Sequence, residues 1–391
     1  MQKETYFTKQ FWLLCLSGAL FFSSFNMIIP ELPDYLTQLG GADYKGLIIS
    51  LFTLTAMLSR PFSGKLTDKI GRIPVMVFGS SVCFVVSMMY PLISSVSGFL
   101  LLRFLHGMST GFKPTGTAAY VADLVPAHKR GEAMGLLGVF TSTGMALGPS
   151  IGGWIALEYS INTLFYISAV LGLLSVLVLI GMKETHPSKE KFEVSMLHIK
   201  PHEFFEPRAI PPSLVMLLTS FSFGIVLTII PDLSTHLGIE NKGLFFSVYV
   251  VASLLVRFFA GKISDRVGRV KVLLFSTVLS ATALFVVGIS EGIEGVLAGG
   301  FILGIALGMN NPTIFAWTVD LSDPQFRGRA MSTMYIALEI GIGSGAFISA
   351  WIYNNDASRF MPTFCMGSLL SIVAFVYLLI LKNSKKKVTH E

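Results

Sequence analysis

A chain of 391 residues that is 52% hydrophobic and only 13% charged is not an ordinary soluble protein, since soluble domains carry about 25% charged residues. Its net charge of +6 then reports membrane topology rather than nucleic-acid binding, because Lys and Arg of membrane proteins collect on the cytoplasmic side. Cys15, Cys83 and Cys365 lie apart in apolar runs without metal-ligand spacing, so they read as core thiols, and neither a disulfide framework nor a cofactor is expected.

A membrane-crossing helix needs about 20 apolar residues. Residues 10–30 carry no charge and no small-x-small cleavage site follows, which makes them an uncleaved first span over about 11–29 rather than a signal peptide. Span 2 is 46–63, interrupted by Arg60. The long run 73–102 holds Pro91 and a Ser/Gly cluster, so it contains span 3 and the start of span 4, which continues to Ala122. Spans 5 and 6 are 133–157 and 159–182, and a polar connector, 183–208, follows. Spans 7 to 12 are 209–231, 243–263, 272–290, 295–319, 330–353 and 360–381. The expected fold is an all-α membrane protein of twelve transmembrane helices in two six-helix halves, 1–182 and 209–391, joined by the connector.

Segments on one side of this topology hold 22 of the 29 Lys and Arg residues; the other side holds only Lys45, Lys242 and Arg359, and Arg60, Arg103, Lys113 and Arg257 lie within spans. Both termini and the connector are therefore expected in the cytoplasm. The two halves repeat. Gly64-Lys65-Leu66-Thr67-Asp68-Lys69-Ile70-Gly71-Arg72, read as a charged turn between two spans, recurs 197 positions later as Gly261-Lys262-Ile263-Ser264-Asp265-Arg266-Val267-Gly268-Arg269. Asp123…Arg130-Gly131-x-Ala133-Met134 recurs as Asp320…Arg327-Gly328-x-Ala330-Met331 at the same offset. Six spans per half make the repeat parallel, which relates the halves by an axis along the membrane normal and places a substrate site between them near the midplane.

These residues resemble the major facilitator superfamily over essentially the whole chain. The 64–72 block resembles its loop 2–3 signature, and the 261–269 copy is specific to two-half members. Arg103-Phe-Leu-His-Gly107-Met-Ser-Thr-Gly111 resembles the span 4 motif. Gly144-Met-Ala-Leu-Gly148-Pro149-Ser-Ile-Gly152-Gly153 resembles the span 5 motif of twelve-span proton antiporters of the drug-efflux type. The resemblance implies a transporter whose cavity is lined by spans 1, 4, 7 and 10.

Gly64, Asp68 and Arg72, with Gly261, Asp265 and Arg269, Asp123, Arg130 and Arg327, are expected to form a cytoplasmic gate. Positive-inside bias explains the Lys and Arg but not the Asp, whereas carboxylates at span ends can bond helix N-terminal amides and Arg partners. Gly144, Gly148 and Gly152 form a small-residue packing face, and Pro149 permits a bend.

Arg103, His106, Thr110, Lys113 and Thr117 share one face of span 4. Lys113 lies about 15 Å from the inner boundary, near the bilayer centre. Glu339 in span 11 is at a similar depth and is the one carboxylate deep in any span. Intramembrane charges default to functional hypotheses. Glu339 is therefore expected to respond to protons, with Lys113 or His106 as partner or competitor; the alternative is a structural Lys113–Glu339 ion pair. Asn26, Asn310 and Asn311 are cavity candidates, each equally explained by hydrogen bonding between helices. Phe112 and Trp317 could stack on a ligand, though core or lipid positions suit them better. Multidrug antiporters for cations resemble one another in a span 1 carboxylate. Residues 10–30 contain none, and the basic face of span 4 leans the cavity toward an anionic or zwitterionic substrate.

Two other patterns are set aside. Gly107-x-Ser109-x-Gly111 fits a nucleophile motif that needs a strand–turn–helix elbow, and here it lies within a helix. His198 and His202, with Glu203 and Glu206 nearby, have metal-like spacing, but Pro201 interrupts the helix that would align them; an interfacial connector helix is the plainer reading. The sequence thus points to a monomeric, multi-pass protein of the inner or plasma membrane, with no enzyme activity, metal or nucleic-acid partner. It would export a small organic molecule by alternating access, coupled to protons, within the lipid bilayer. Proton-coupled import of a polar nutrient is the first alternative and an intramembrane enzyme the second.

Overall fold

The computed structural model describes residues 7–41, 44, 47–186, 189–200, 203–239, 244–354 and 356–388; Lys45, Pro201, His202 and Lys242 lie outside them. Among the described residues, all regular structure is helical. Twelve long helices are α1 (Lys9–Ile28), α3 (Leu47–Lys69), α4 (Arg72–Met89), α5 (Val96–Leu124), α6 (Arg130–Glu158), α7 (Ile161–Ile180), α8 (Ile210–His236), α9 (Leu244–Val267), α10 (Arg269–Gly288), α11 (Ile293–Leu321), α12 (Arg327–Tyr353) and α13 (Phe360–Val388); a short α2 (Leu32–Gln38) follows α1. Eleven of the twelve are long and apolar enough to cross a membrane. The other, α5, carries Arg103, His106 and Lys113.

The charged blocks are helix rather than turn. α3 runs through to Lys69 and α9 to Val267. Lys, Leu, Thr and Asp do not break a helix; what stops it is a glycine in the left-handed region, Gly71 at φ 109° and Gly268 at φ 100°, where any side chain would be strained. The connector, in contrast, forms no α-helix among its described residues. It has short 3₁₀ turns at Val194–Leu197 and Pro207–Ala209, consistent with three prolines, at 187, 201 and 207, in its sequence.

The chain folds into two compact units, each of which includes one short segment from the other sequence half. Unit 1 is Met1–Ala127, Leu136–Pro207 and Ser322–Thr333; unit 2 is His128–Gly135, Arg208–Leu321 and Met334–Glu391. The start of α6 therefore belongs to unit 2 and the start of α12 to unit 1. In unit 1, α5 packs on α3 and α4, α4 on α7, and α7 on α1. In unit 2, α11 packs on α9 and α10, α10 on α13, and α13 on α8. The repeat in sequence is thus a repeat in packing.

Small residues set the closest approaches. A Cβ at Gly144 would meet the backbone oxygen of Ala19, one at Gly148 that of Ser23, and one at Gly152 that of Met27, so α6 lies directly on the α1 backbone. Hydroxyls tie the other contacts: Ser17 bonds Ser175 and Ser24 bonds Ser168 in unit 1, and Ser222 and Ser280 bond Ser371 in unit 2.

Candidate functional site

The end of α3 meets the start of α12. The Asp68 carboxylate accepts the backbone N–H groups of Gly328 at 2.7 Å and Arg329 at 2.8 Å, in the first turn of α12. These amides have no partner within their own helix, and the N-terminal dipole favours an anion there. Arg72, at the start of α4, donates to Asp68 at 3.3 Å and to Asp123, at the end of α5, at 3.0 Å. Arg327 bonds the other oxygen of Asp123. Arg72 and Asp68 side chains are 1% and 7% exposed. α3 and α12 approach closely at Gly64, where a Cβ would lie 2.8 Å from the Cβ of Ser332 and could be accommodated only with a shift.

Unit 2 contains the same arrangement. Asp265 accepts the N–H groups of Gly131 and Glu132, both at 2.9 Å, in the first turn of α6. Arg269 bonds Asp265 and, at 2.9 Å, Asp320. Arg130 bonds the second oxygen of Asp320 at 2.8 Å. A Cβ at Gly261 would collide with the Gly131 carbonyl. All nine residues singled out around the two charged blocks therefore fall into two equivalent clamps, each an Asp capping a helix and an Arg bridging that Asp to a second one.

The clamps differ in cover. Over the first, the connector's Glu184 caps α4 by accepting the N–H groups of Arg72 and Ile73 at 3.1 and 3.0 Å, and Thr185 donates to Asp123. Glu206 pairs with Arg329 at 2.7 Å and Glu203 with Lys65 at 2.8 Å. The second clamp has one added pair of carboxylate contacts, Lys129 and Lys262 on Glu132. Its Asp320 is 26% exposed against 11% for Asp123.

The polar face of α5 points into the helix bundle of unit 1, not to an open cavity. Arg103, His106 and Lys113 are 0–1% exposed. Arg103 donates to the Ile48 carbonyl and the Tyr90 hydroxyl and sits 4.7 Å over the Phe52 ring. His106 lies within hydrogen-bond reach of Tyr90 and Cys83. The Lys113 ammonium donates to the Ser17 carbonyl and hydroxyl, both at 2.8 Å, and to the Ser175 hydroxyl, and lies 4.8 Å over the Phe21 ring. A cation in an apolar bundle settles where oxygens surround it, and three oxygens of its own unit satisfy this one. All three basic side chains are thus engaged by groups of unit 1 itself.

Asn310 sits at the matching position of unit 2, 197 residues on. It is 1% exposed, donates to the Thr219 hydroxyl at 2.9 Å and accepts from Ser276. Lys113 and Asn310 are thus equivalent polar ties from the fourth long helix of a half to its first. Asn26 donates to Phe22 of its own helix and is half-buried, as are Asn311 and Glu339. Phe112 and Trp317 are buried. Ser109 is buried within α5 with its hydroxyl unsatisfied, in helical backbone with no elbow. Among the described residues no group of His, Cys, Asp and Glu is arranged to hold a metal.

Several partners escaped the sequence. Gly341 and Gly345 lie 197 positions after Gly144 and Gly148, and Cβ atoms there would meet the backbone oxygens of Leu217 and Phe221 on α8. The α6 glycine face is therefore half of a repeated packing device, and the offset would have revealed it. Ser17, Ser175, Thr219 and Glu184 carried no signal, and Glu206 none for its pairing with Arg329, because single serines and connector acids are common in any membrane chain.

Among the described residues, eleven helices apolar enough to cross a membrane and the more polar α5 form two repeated six-helix sets, the architecture of a multi-pass membrane protein. The family model described as Major Facilitator Superfamily matches residues 14–210 and 212–391. The chain belongs to the major facilitator superfamily. It is 30% identical to "Multidrug resistance protein MdtG" of Escherichia fergusonii over 374 residues, covering 91% of this chain and 90% of that protein. It is 29% identical to the protein of that name from Salmonella typhi, covering 94% and 93%. Among solved structures it is similar to the human organic anion transporter MFSD10 (TM-score 0.83, 19% identity, covering 94% of this chain and 98% of that one). It is also similar to the proton:xylose symporter XylE (TM-score 0.80, 15% identity, covering 96% and 95%).

Proposed function

We propose that the protein exports small organic compounds across the inner membrane by alternating access, driven by protons, with both termini in the cytoplasm. The observation that carries alternating access is the pair of Asp caps. Each consists of hydrogen bonds and ion pairs alone, so it can be released in one conformation and remade in the other without chemistry. Efflux of several compounds is suggested by the multidrug resistance proteins MdtG, which align over nine tenths of the chain. Export needs an energy source, and no phosphate-binding loop occurs in the sequence, so an ion gradient must drive it.

Glu339 is the proton carrier in this reading. It is half-buried in the middle of α12, and a carboxyl at mid-depth changes its protonation as its surroundings open and close. Lys113 and His106 are occupied within unit 1 and act as structural ties. The substrate class stays broad, because the basic side chains that favoured an anion are all engaged.

The test is substrate-dependent proton movement in proteoliposomes with a drug and metabolite panel, comparing wild type with Glu339→Gln. Proton flux triggered by a compound class and abolished in the variant supports proton-coupled export. Undiminished coupled transport in Glu339→Gln removes the carrier role. Substrate moving in the same direction as the proton overturns export in favour of import.

A further inference from the structure

The connector carries equal numbers of acids and bases between 183 and 208, but the structure sorts them. Four of its five glutamates turn toward the protein: Glu184 onto the α4 amides, Glu190 onto Lys69, Glu203 onto Lys65 and Glu206 onto Arg329. Lys183, Lys189, Lys191 and Lys200 are exposed, and among the described residues no carboxylate pairs with them. A segment of zero formal charge therefore presents a positive outer face.

That face is also apolar. Phe192, Val194, Leu197, Phe204 and Phe205 are 41–76% exposed, five large hydrophobic side chains in fourteen residues of a segment outside the bundle. Met196, between them, points the other way and is buried against Leu66, Val75 and Phe112. Phe112 in turn packs on Phe78 of α4, ring centroids 4.6 Å apart, and Phe78 is 43% exposed. The connector is thus anchored on unit 1 through Met196, with the other five large apolar side chains left exposed.

We propose that the connector is a membrane-surface element that docks on anionic phospholipid, in the leaflet on the side of both chain termini. Its Phe, Val and Leu side chains sit at the boundary between headgroups and acyl chains, and its outward lysines bind the headgroup phosphates. Aromatic and aliphatic side chains mixed with Lys are the composition that holds a segment in this layer, and each Lys near an anionic surface adds to the attraction. The bilayer, unlike a soluble partner, is always present beside a segment anchored on a multi-pass membrane protein, and it offers both an apolar layer and phosphates. Because the inward glutamates hold Lys65, Arg329 and the start of α4, lipid bound to the outer face steadies the first clamp and not the second.

Two measurements on the full-length protein in bilayers test this. In the first, Val194→Cys in a Cys365→Ser background is labelled with a fluorophore, and Asp356→Cys serves as an exposed loop reference. Quenching of the 194 probe by lipids spin-labelled near the headgroup, with protection from aqueous iodide relative to the 356 probe, is expected. Iodide access equal to the reference, without lipid quenching, overturns the proposal. In the second, thermal unfolding is followed while phosphatidylglycerol is titrated into a phosphatidylcholine background. Wild type is expected to gain stability with phosphatidylglycerol, and the lipid fraction for half the gain is expected to rise on the order of 100-fold, or the gain to vanish, in Lys189→Gln/Lys191→Gln/Lys200→Gln. Equal response in wild type and variant, or no preference of wild type for the anionic lipid, overturns it. Neither readout depends on transport or its direction.

Discussion

Asp68 and Asp265 each accept two backbone N–H groups from the first turn of a helix, at 2.7–2.9 Å, and each is bridged by an Arg four residues on to a second aspartate. The bonds are nearly the same and the surroundings are not. The connector lies over the first clamp, with Glu184, Glu203 and Glu206 on its helices, whereas the second has Lys129 and Lys262 on Glu132. The contrast separates two things a repeated motif can do. The bonds that cap a helix come with the motif, whereas the cost of breaking them depends on what excludes water from the charges left behind.

The largest effect should come from Asp123→Ala against Asp320→Ala. Removing Asp123 takes one of two carboxylates from Arg72, whose side chain is 1% exposed and which keeps Asp68, and one from Arg327. The buried excess of positive charge left behind should cost about 3 kcal/mol. Asp320 is 26% exposed, and its loss should cost about 1 kcal/mol. Denaturant unfolding in detergent compares them; equal losses would mean that the connector does not shield the first clamp. Next come Asp68→Asn and Asp265→Asn. Each amide can accept one cap bond but carries no charge, so each should cost about 1–2 kcal/mol and slow transport to a similar degree. A large difference between these two variants would break the equivalence of the caps.

The smallest effect is a pH dependence confined to the first clamp. Burial, and then the Arg72 charge, hold His186 below its usual 6.5, against the opposing pull of Asp68, Glu184 and Asp123. The folded state thus resists a proton that the unfolded chain takes up near pH 6.5. The stabilisation is present above that value and is lost as pH falls from it toward the lower folded value. Thermal unfolding scanned from about pH 7.5 to 5.5 should show a shallower loss in His186→Gln than in wild type. Identical slopes would take His186 out of the clamp's surroundings.

Much of this was readable in the residues. The offset of 197 tied Asp68 to Asp265, Asp123 to Asp320 and Arg130 to Arg327, and charge-free runs located the helices. Those runs left the boundary between spans 3 and 4 open and ended spans 2 and 12 short, at 63 and 381 against Lys69 and Val388. What was not readable depends on backbone and on common side chains. The acceptors' partners are amides of Gly328 and Gly131, which any residue carries, so only the carboxylate half of each cap has a sequence signal. The charged block looked like a turn because polarity and helix ends coincide in membrane chains, yet Gly71 and Gly268 alone end the helices. Lys113 looked like a cavity charge because its depth can be counted along the chain but its direction cannot. Ser17 and Ser175, which claim it, are two serines among many.

The central claim is that the Asp caps let go during each transport cycle. A Cβ on Gly64 would lie 2.8 Å from the Cβ of Ser332, close enough for Gly64→Cys and Ser332→Cys to form a disulfide after a small shift, beside the bonds from Asp68 to Gly328 and Arg329. Transport by this double variant in proteoliposomes, oxidised and then reduced, is the direct measurement. Arrest in the oxidised protein with recovery on reduction is the predicted result. Full transport with the bridge demonstrably closed would show that the first clamp never opens and would contradict the account.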